Sequence, residues 1–215
     1  MKQQFVETIK IKNGKALALP YHQARMERTI RRFFPSFPSF PSFTSFPSIA
    51  SADINLSSLI SPKEEMDFYK ARVVYGAQGV EAIEYAPYKM KEIHSLKVVE
   101  DDSIDYTYKS TDRSALNALA AQKGDCDEII IIKNGLITDT SFTNLALFDG
   151  NRWLTPKHPL LHGTKRAQLL EAGIIEEAEL TLEDLRKAEK VSLFNAMIDF
   201  GEREVTEIFL PDSVE

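Results

Sequence analysis

Two Asn-Gly steps constrain this chain more than any other feature. Asn13-Gly14 follows the run FVETIKIK, and Asn134-Gly135 follows EIIIIK. Both central residues of a two-residue type I′ turn need positive φ, which Asn and Gly tolerate, so each step predicts a tight β-hairpin. Antiparallel pairing is therefore expected in both halves of the chain. A fold made only of alternating βαβ units does not accommodate this, and no Gly-rich dinucleotide fingerprint or P-loop is present.

The other elements follow from periodicity and punctuation. Pro20 precedes a strongly basic helix over 21–32, in which Met26 and Ile30 share a face. Residues 69–75 read as a strand, Gly76 and Gly79 as a turn, and 80–85 as a second strand. The stretch 92–105 reads as a crossing between two halves. A helix is expected over 110–122, stopped at Gly124. EIIIIK has the composition of a strand buried on both faces. Further strands are expected at 144–148, 152–154 and 191–197, and helices at 164–172 and 183–187. From Phe33 to Ser48 a Phe-Pro-Ser unit recurs with period three. Proline at that density excludes helix and sheet interior, which makes the tract a connector with polyproline II character.

Composition narrows the function classes. A net charge of −6 over 215 residues argues against nucleic acid or an anionic membrane as partner. The one cysteine, Cys126, cannot form an internal disulfide, and its neighbours Asp125 and Asp127 discourage a reactive thiolate. The first residues lack the apolar run of a signal peptide, and no stretch has the length of a membrane span, so a cytoplasmic location is expected. His22, His94, His158 and His162 have no ligand-like spacing, and no metal is expected.

Four segments carry the chemistry: YHQARM at 21–26, YKSTDR at 108–113, GLITDTSFTNLALF at 135–148 and LLHGTKRAQLL at 160–170. In order and spacing the chain resembles the fold-type IV, or class IV aminotransferase, family of pyridoxal-phosphate enzymes from about residue 7 to 197. That resemblance implies an α+β, two-domain architecture like D-amino-acid aminotransferase. A small N-terminal α/β domain, 1–98, would carry the Phe-Pro-Ser loop at 33–48. A larger C-terminal pseudo-barrel α/β domain, 99–215, would bind cofactor, with the cleft between the domains as the cofactor site. It implies pyridoxal 5′-phosphate held as an imine on Lys109, whose amine also carries protons. Arg113, four residues on, would lie on the same side of the following helix and lower the lysine's pKa.

By the same resemblance Asp139 stands where the family keeps a glutamate that holds the pyridine nitrogen protonated. Aspartate is one methylene shorter; the charge logic survives, but ring or strand must shift. Asn144 closes that motif. Gly163, Thr164 and Lys165 open a helix whose N–H groups bind phosphate, Arg25 grips phosphate as the arginine of a His-x-x-Arg segment, and Asn195 adds a late contact. Arg72, near Lys70, is a candidate for a substrate carboxylate or an exposed strand arginine. The short chain and the segment NAMIDF look like the compact 4-amino-4-deoxychorismate lyase branch, which releases pyruvate and 4-aminobenzoate. A branched-chain or D-amino-acid type aminotransferase is the alternative, and a non-catalytic binding protein on this fold a third reading. The family also implies a small-molecule amino substrate and a homodimer.

Overall fold

The computed structural model describes residues 3–35, 54–62, 67–205 and 207–210. The Phe-Pro-Ser tract beyond Pro35 lies outside them. The chain divides into two compact units, residues 1–89 with 108–112, and residues 90–107 with 113–215.

In the first unit β1 (Gln4–Lys12) turns through Asn13 and Gly14, at φ 50° and 69°, into β2 (Lys15–Ala16). The hairpin forms where the Asn-Gly step predicts it. The return strand is short because Ala18 takes φ 55° and Pro20 follows. Proline has no N–H for a ladder but suits a first helical turn, and α1 (Leu19–Phe33) starts there. The strands β3 (Phe68–Gly76) and β4 (Gly79–Pro87) complete an antiparallel sheet ordered β2-β1-β3-β4. Met26 and Ile30 of α1 pack with Phe5, Ile9, Ile11, Tyr69 and Val73. A short helix, α2 (Leu56–Leu59), is capped by the Asn55 side chain.

Residues 108–112 are not the start of a helix. They run along β1: the Val6 N–H donates to the Lys109 carbonyl at 2.9 Å, and the Thr111 N–H to Gln4 at 3.0 Å. The helix α3 (Ser114–Ala120) begins only after Arg113, and Gly124 at φ 60° closes the turn that follows it. Edge pairing overrides helix propensity here, since β1 offers unpaired backbone groups that this segment satisfies.

The second unit holds two sheets. In one, β5 (Ser95–Glu100) lies parallel to β6 (Glu128–Lys133), which turns through Asn134-Gly135 into β7 (Leu136–Ile137), and β13 (Glu207–Phe209) flanks β5 in parallel. The stretch read as a crossing thus contains a strand, and the unit mixes parallel with antiparallel pairs. The other sheet is ordered β10-β9-β8-β11-β12. Its strands are β8 (Asn144–Phe148), β9 (Trp153–Pro156), β10 (Glu176–Ala178), β11 (Lys190–Phe194) and β12 (Glu204–Val205). The unit also carries α4 (Thr164–Glu171) and α5 (Leu182–Lys187), the latter started by a reciprocal Thr181–Asp184 capping box.

Both faces of β6 are buried, as its composition predicts. Ile130 and Ile132 pack with Leu145, Leu147 and Leu193, while Ile129 and Ile131 pack with Leu116 and Leu119. Each such side chain contributes about 1.5–3 kcal/mol on burial. This buried strand also holds the segment bearing Asp139, since the Ile131 N–H donates to the Asp139 carbonyl at 2.9 Å.

Candidate active site

In the first unit the chemistry gathers around Glu7. Strand alternation puts Phe5, Glu7, Ile9 and Ile11 on one face of β1, all buried. Glu7 is a carboxylate in an apolar row, and α1 answers it with two residues one helical turn apart. Arg25 Nε donates to Glu7 Oε1 at 2.9 Å, Arg25 Nη2 donates to Oε2, and His22 Nδ1 lies 2.6 Å from Oε2. Burial alone would raise the Glu7 pKa. The Arg25 charge, with hydrogen bonds from His22 and Arg25, outweighs it and holds the group at about 2. Burial lowers the His22 pKa against the pull of Glu7, so the ring is neutral and donates through Nδ1; the charges of Arg25 and Lys109 act in the same downward direction. Lys109 itself is half-buried on β1, its carbonyl bonded to the residue before Glu7. The unit therefore brings Lys109 and Arg25 together, two residues 84 apart in sequence. The Arg25 fork, which the family resemblance directs at phosphate, pairs with Glu7.

In the second unit the segment after β7 carries Asp139. Its carboxyl is buried, accepts from Asn144 Nδ2 at 2.7 Å on Oδ1, and accepts from the Leu161 N–H at 2.8 Å on Oδ2. Asn144 Nδ2 also donates to the Leu161 carbonyl at 2.9 Å. Asp139, Asn144 and one peptide thus close a ring of hydrogen bonds. Burial pushes the Asp139 pKa up to about 7; the Leu161 and Asn144 hydrogen bonds and the charge of Arg166 oppose the rise without cancelling it. An adjacent cation would restore the charged form.

Gly163 and Thr164 are buried at the start of α4, where no side chain caps the helix. Such a terminus presents N–H groups and the positive end of a dipole, which suits an anion. The Lys165 ammonium turns to Asp199 at 2.7 Å, leaving its backbone as the part that follows the anion motif. Asn195 Oδ1 accepts from the Met197 and Ile198 N–H groups, and its Nδ2 donates to the Phe142 carbonyl at 3.2 Å. Asn195 ends β11, so the strand expected through 197 stops at Phe194. Arg113 Nη2 donates to the Ser141 carbonyl at 2.8 Å, and its guanidinium lies over the Tyr106 ring. Arg72 pairs with Glu84 across β3 and β4 at 3.1 Å, both exposed.

Sequence reasoning missed Glu7, His22 and Arg166. Glu7 had a legible signal, a lone charge in a period-two apolar row. Arg166, buried in the first turn of α4, donates to the Pro156 carbonyl and to Glu177, and its Nε–H has no hydrogen-bond partner among the described residues. The first unit supplies an amine beside an arginine, and the second a buried acid and an uncapped helix start; these are the donor types that pyridoxal phosphate requires.

The model of the amino-transferase class IV family matches residues 67–208, and the chain belongs to that family of enzymes, which depends on pyridoxal phosphate. Among its relatives is an uncharacterized protein of Haemophilus influenzae, 37% identical over 89% of this chain and 96% of that one. A solved candidate 4-amino-4-deoxychorismate lyase from Haemophilus somnus is 35% identical, covers 93% of this chain and 98% of its own, and superposes with a TM-score of 0.77. The pyridoxal-phosphate-bound form of a hypothetical aminotransferase from Mycobacterium tuberculosis shares the fold, with a TM-score of 0.70 at 16% identity, over 95% of this chain and 81% of that one. The fold-type IV architecture expected from the sequence is the one observed.

Proposed function

We propose that the chain binds pyridoxal 5′-phosphate and acts as a 4-amino-4-deoxychorismate lyase, splitting its substrate into pyruvate and 4-aminobenzoate, a folate precursor. The observation that carries the lyase reading is the 35%-identical likeness to the Haemophilus somnus protein, which spans 98% of that chain. The bound cofactor supplies an aldehyde for amines and a cationic ring that stabilises a carbanion.

The chain's own groups do the rest. Lys109 provides the amine that holds the cofactor and, once displaced, takes the proton from the substrate's Cα. Asp139 receives the ring nitrogen, and the burial that pushes its pKa to about 7 makes its charge responsive to a cation placed beside it. The start of α4 at Gly163, Thr164 and Lys165 takes the phosphate, with Arg25 and Asn195 as further donors. Arg25 is held rigid by Glu7, so its placement costs little side-chain entropy on binding. We further infer a cytoplasmic homodimer; among the described residues no helix is long and apolar enough to cross a membrane.

The test is incubation of purified, cofactor-loaded protein with 4-amino-4-deoxychorismate. Pyruvate and 4-aminobenzoate should appear in equal amounts. Exchange of amino groups with a keto acid, without pyruvate release, would establish an aminotransferase instead. Lys109→Ala should lose at least about 10³-fold of either activity and the visible absorbance of the loaded protein. A Lys109→Ala protein that keeps both would sink the assignment.

A further inference from the structure

Asn144 is one of the most constrained side chains in the second unit. It is buried, both hydrogens of its amide are used, one on Asp139 and one on the Leu161 carbonyl, and Leu161 returns its own N–H to Asp139. Its remaining atom, Oδ1, stands over Gly163: a Cβ built there would lie 1.9 Å from it. The backbone of Gly163 is ordinary, at φ −67° and ψ 147°, so no conformational demand requires glycine. What excludes a side chain at 163 is the Asn144 amide.

From this geometry, and resting on the reading that Asp139 receives a pyridine nitrogen, we infer that Asn144 is a positioning residue for Asp139. It fixes the rotamer and charge of the carboxyl that meets the cofactor ring, and it ties that carboxyl to the turn at Gly163 where α4 begins. With the Asn144 amide and the Leu161 N–H on its two oxygens, the buried carboxylate is held in one orientation with its charge partly compensated; without the amide, Oδ1 loses that donor and the group reorients and favours its neutral form. A neutral acid cannot hold a pyridine nitrogen protonated. Because the amide also grips the Leu161 carbonyl two residues before Gly163, acid and phosphate turn keep a set spacing. The departure from glutamate makes this support more important, since a shorter side chain must be aimed from a backbone that is itself held.

Asn144→Ala removes the donor outright. Gly163→Ala leaves Asn144 chemically intact but displaces its amide. Both variants and the parent would be stripped of cofactor and titrated with pyridoxal 5′-phosphate and with its deaza analogue, in which carbon replaces the ring nitrogen. The ratio of the two affinities reports the ring contact alone, since aldehyde and phosphate are common to both ligands. The parent should prefer the natural cofactor by about tenfold or more, as expected for a buried charge-assisted contact. In Asn144→Ala the preference should fall to about twofold with deaza-analogue affinity little changed, and Gly163→Ala should move the same way. Carboxyl NMR should show Asp139 titrating at higher pH in Asn144→Ala. Variants that fold, by circular dichroism and thermal melting, yet keep the parent's preference overturn the inference. A parent without any preference overturns instead the reading that Asp139 meets the ring.

Discussion

Glu7 and Asp139 are both fully buried carboxyls, one in each unit, and they are driven in opposite directions. Glu7 is held near pKa 2 while Asp139 is pushed to about 7. Desolvation raises both. The difference lies in the partners: Glu7 meets a guanidinium and an imidazole at hydrogen-bond distance, whereas Asp139 is hydrogen-bonded by neutral groups, the Asn144 amide and peptide N–H groups, with Arg166 acting on it only through its charge. A full charge at hydrogen-bond distance outweighs burial, and neutral donors do not. The first carboxyl is complete as it stands and serves to hold Arg25. The second has no cation at hydrogen-bond distance, which suits the cationic ring proposed for it.

Removing Glu7 has the largest expected effect. Glu7→Ala strands a buried arginine, and breaking such a pair costs about 3–5 kcal/mol. Urea unfolding should show a loss of that size at pH 7, and a loss below about 1 kcal/mol would mean that the cluster is not the ion pair described. Glu7 stability is present above its unfolded pKa and is lost as pH falls through about 2.

Asp139 should behave inversely in cofactor-free protein. Below its ordinary pKa it is protonated folded and unfolded alike. As pH rises to about 7 the unfolded chain ionises first and stability falls, levelling off above. Asp139→Asn lacks this slope, so its unfolding free energy relative to the parent should grow by about 4 kcal/mol between pH 4 and 8, at ~1.4 kcal/mol per pKa unit. The variant also turns an NH₂ toward an N–H donor, a cost independent of pH, so the slope is the diagnostic. A flat difference would show Asp139 ionising normally.

The smallest effect belongs to a carboxyl in water. Glu84 pairs with Arg72 on the exposed sheet face, and Arg72→Ala should change stability by no more than about 0.5 kcal/mol, measured as a shift in urea midpoint. A larger change would show that exposure is not what separates this pair from Glu7 and Arg25.

Much of the fold was legible because it is local. The Asn-Gly hairpins, the Pro20 helix start and the doubly buried EIIIIK strand depend on residues within a few positions of one another. The segment 108–112 and the strand β5 were misread because what decides them, an open edge of β1 and a parallel partner in β6, lies far along the chain. For the candidate site, motif order points to Lys109, Asp139 and the turn at Gly163. It did not reveal that the fork of Arg25 is taken by Glu7, or that Lys165 points its charge at Asp199.

Residue order fixes which chemical groups are present and the short-range elements that carry them: an amine, an acid one methylene shorter than glutamate, and a glycine where a helix opens. Packing sets the state of those groups. Ionisation of a buried carboxyl depends on what faces it after packing, and the residues that face Glu7 and Asp139 arrive from other elements of the fold.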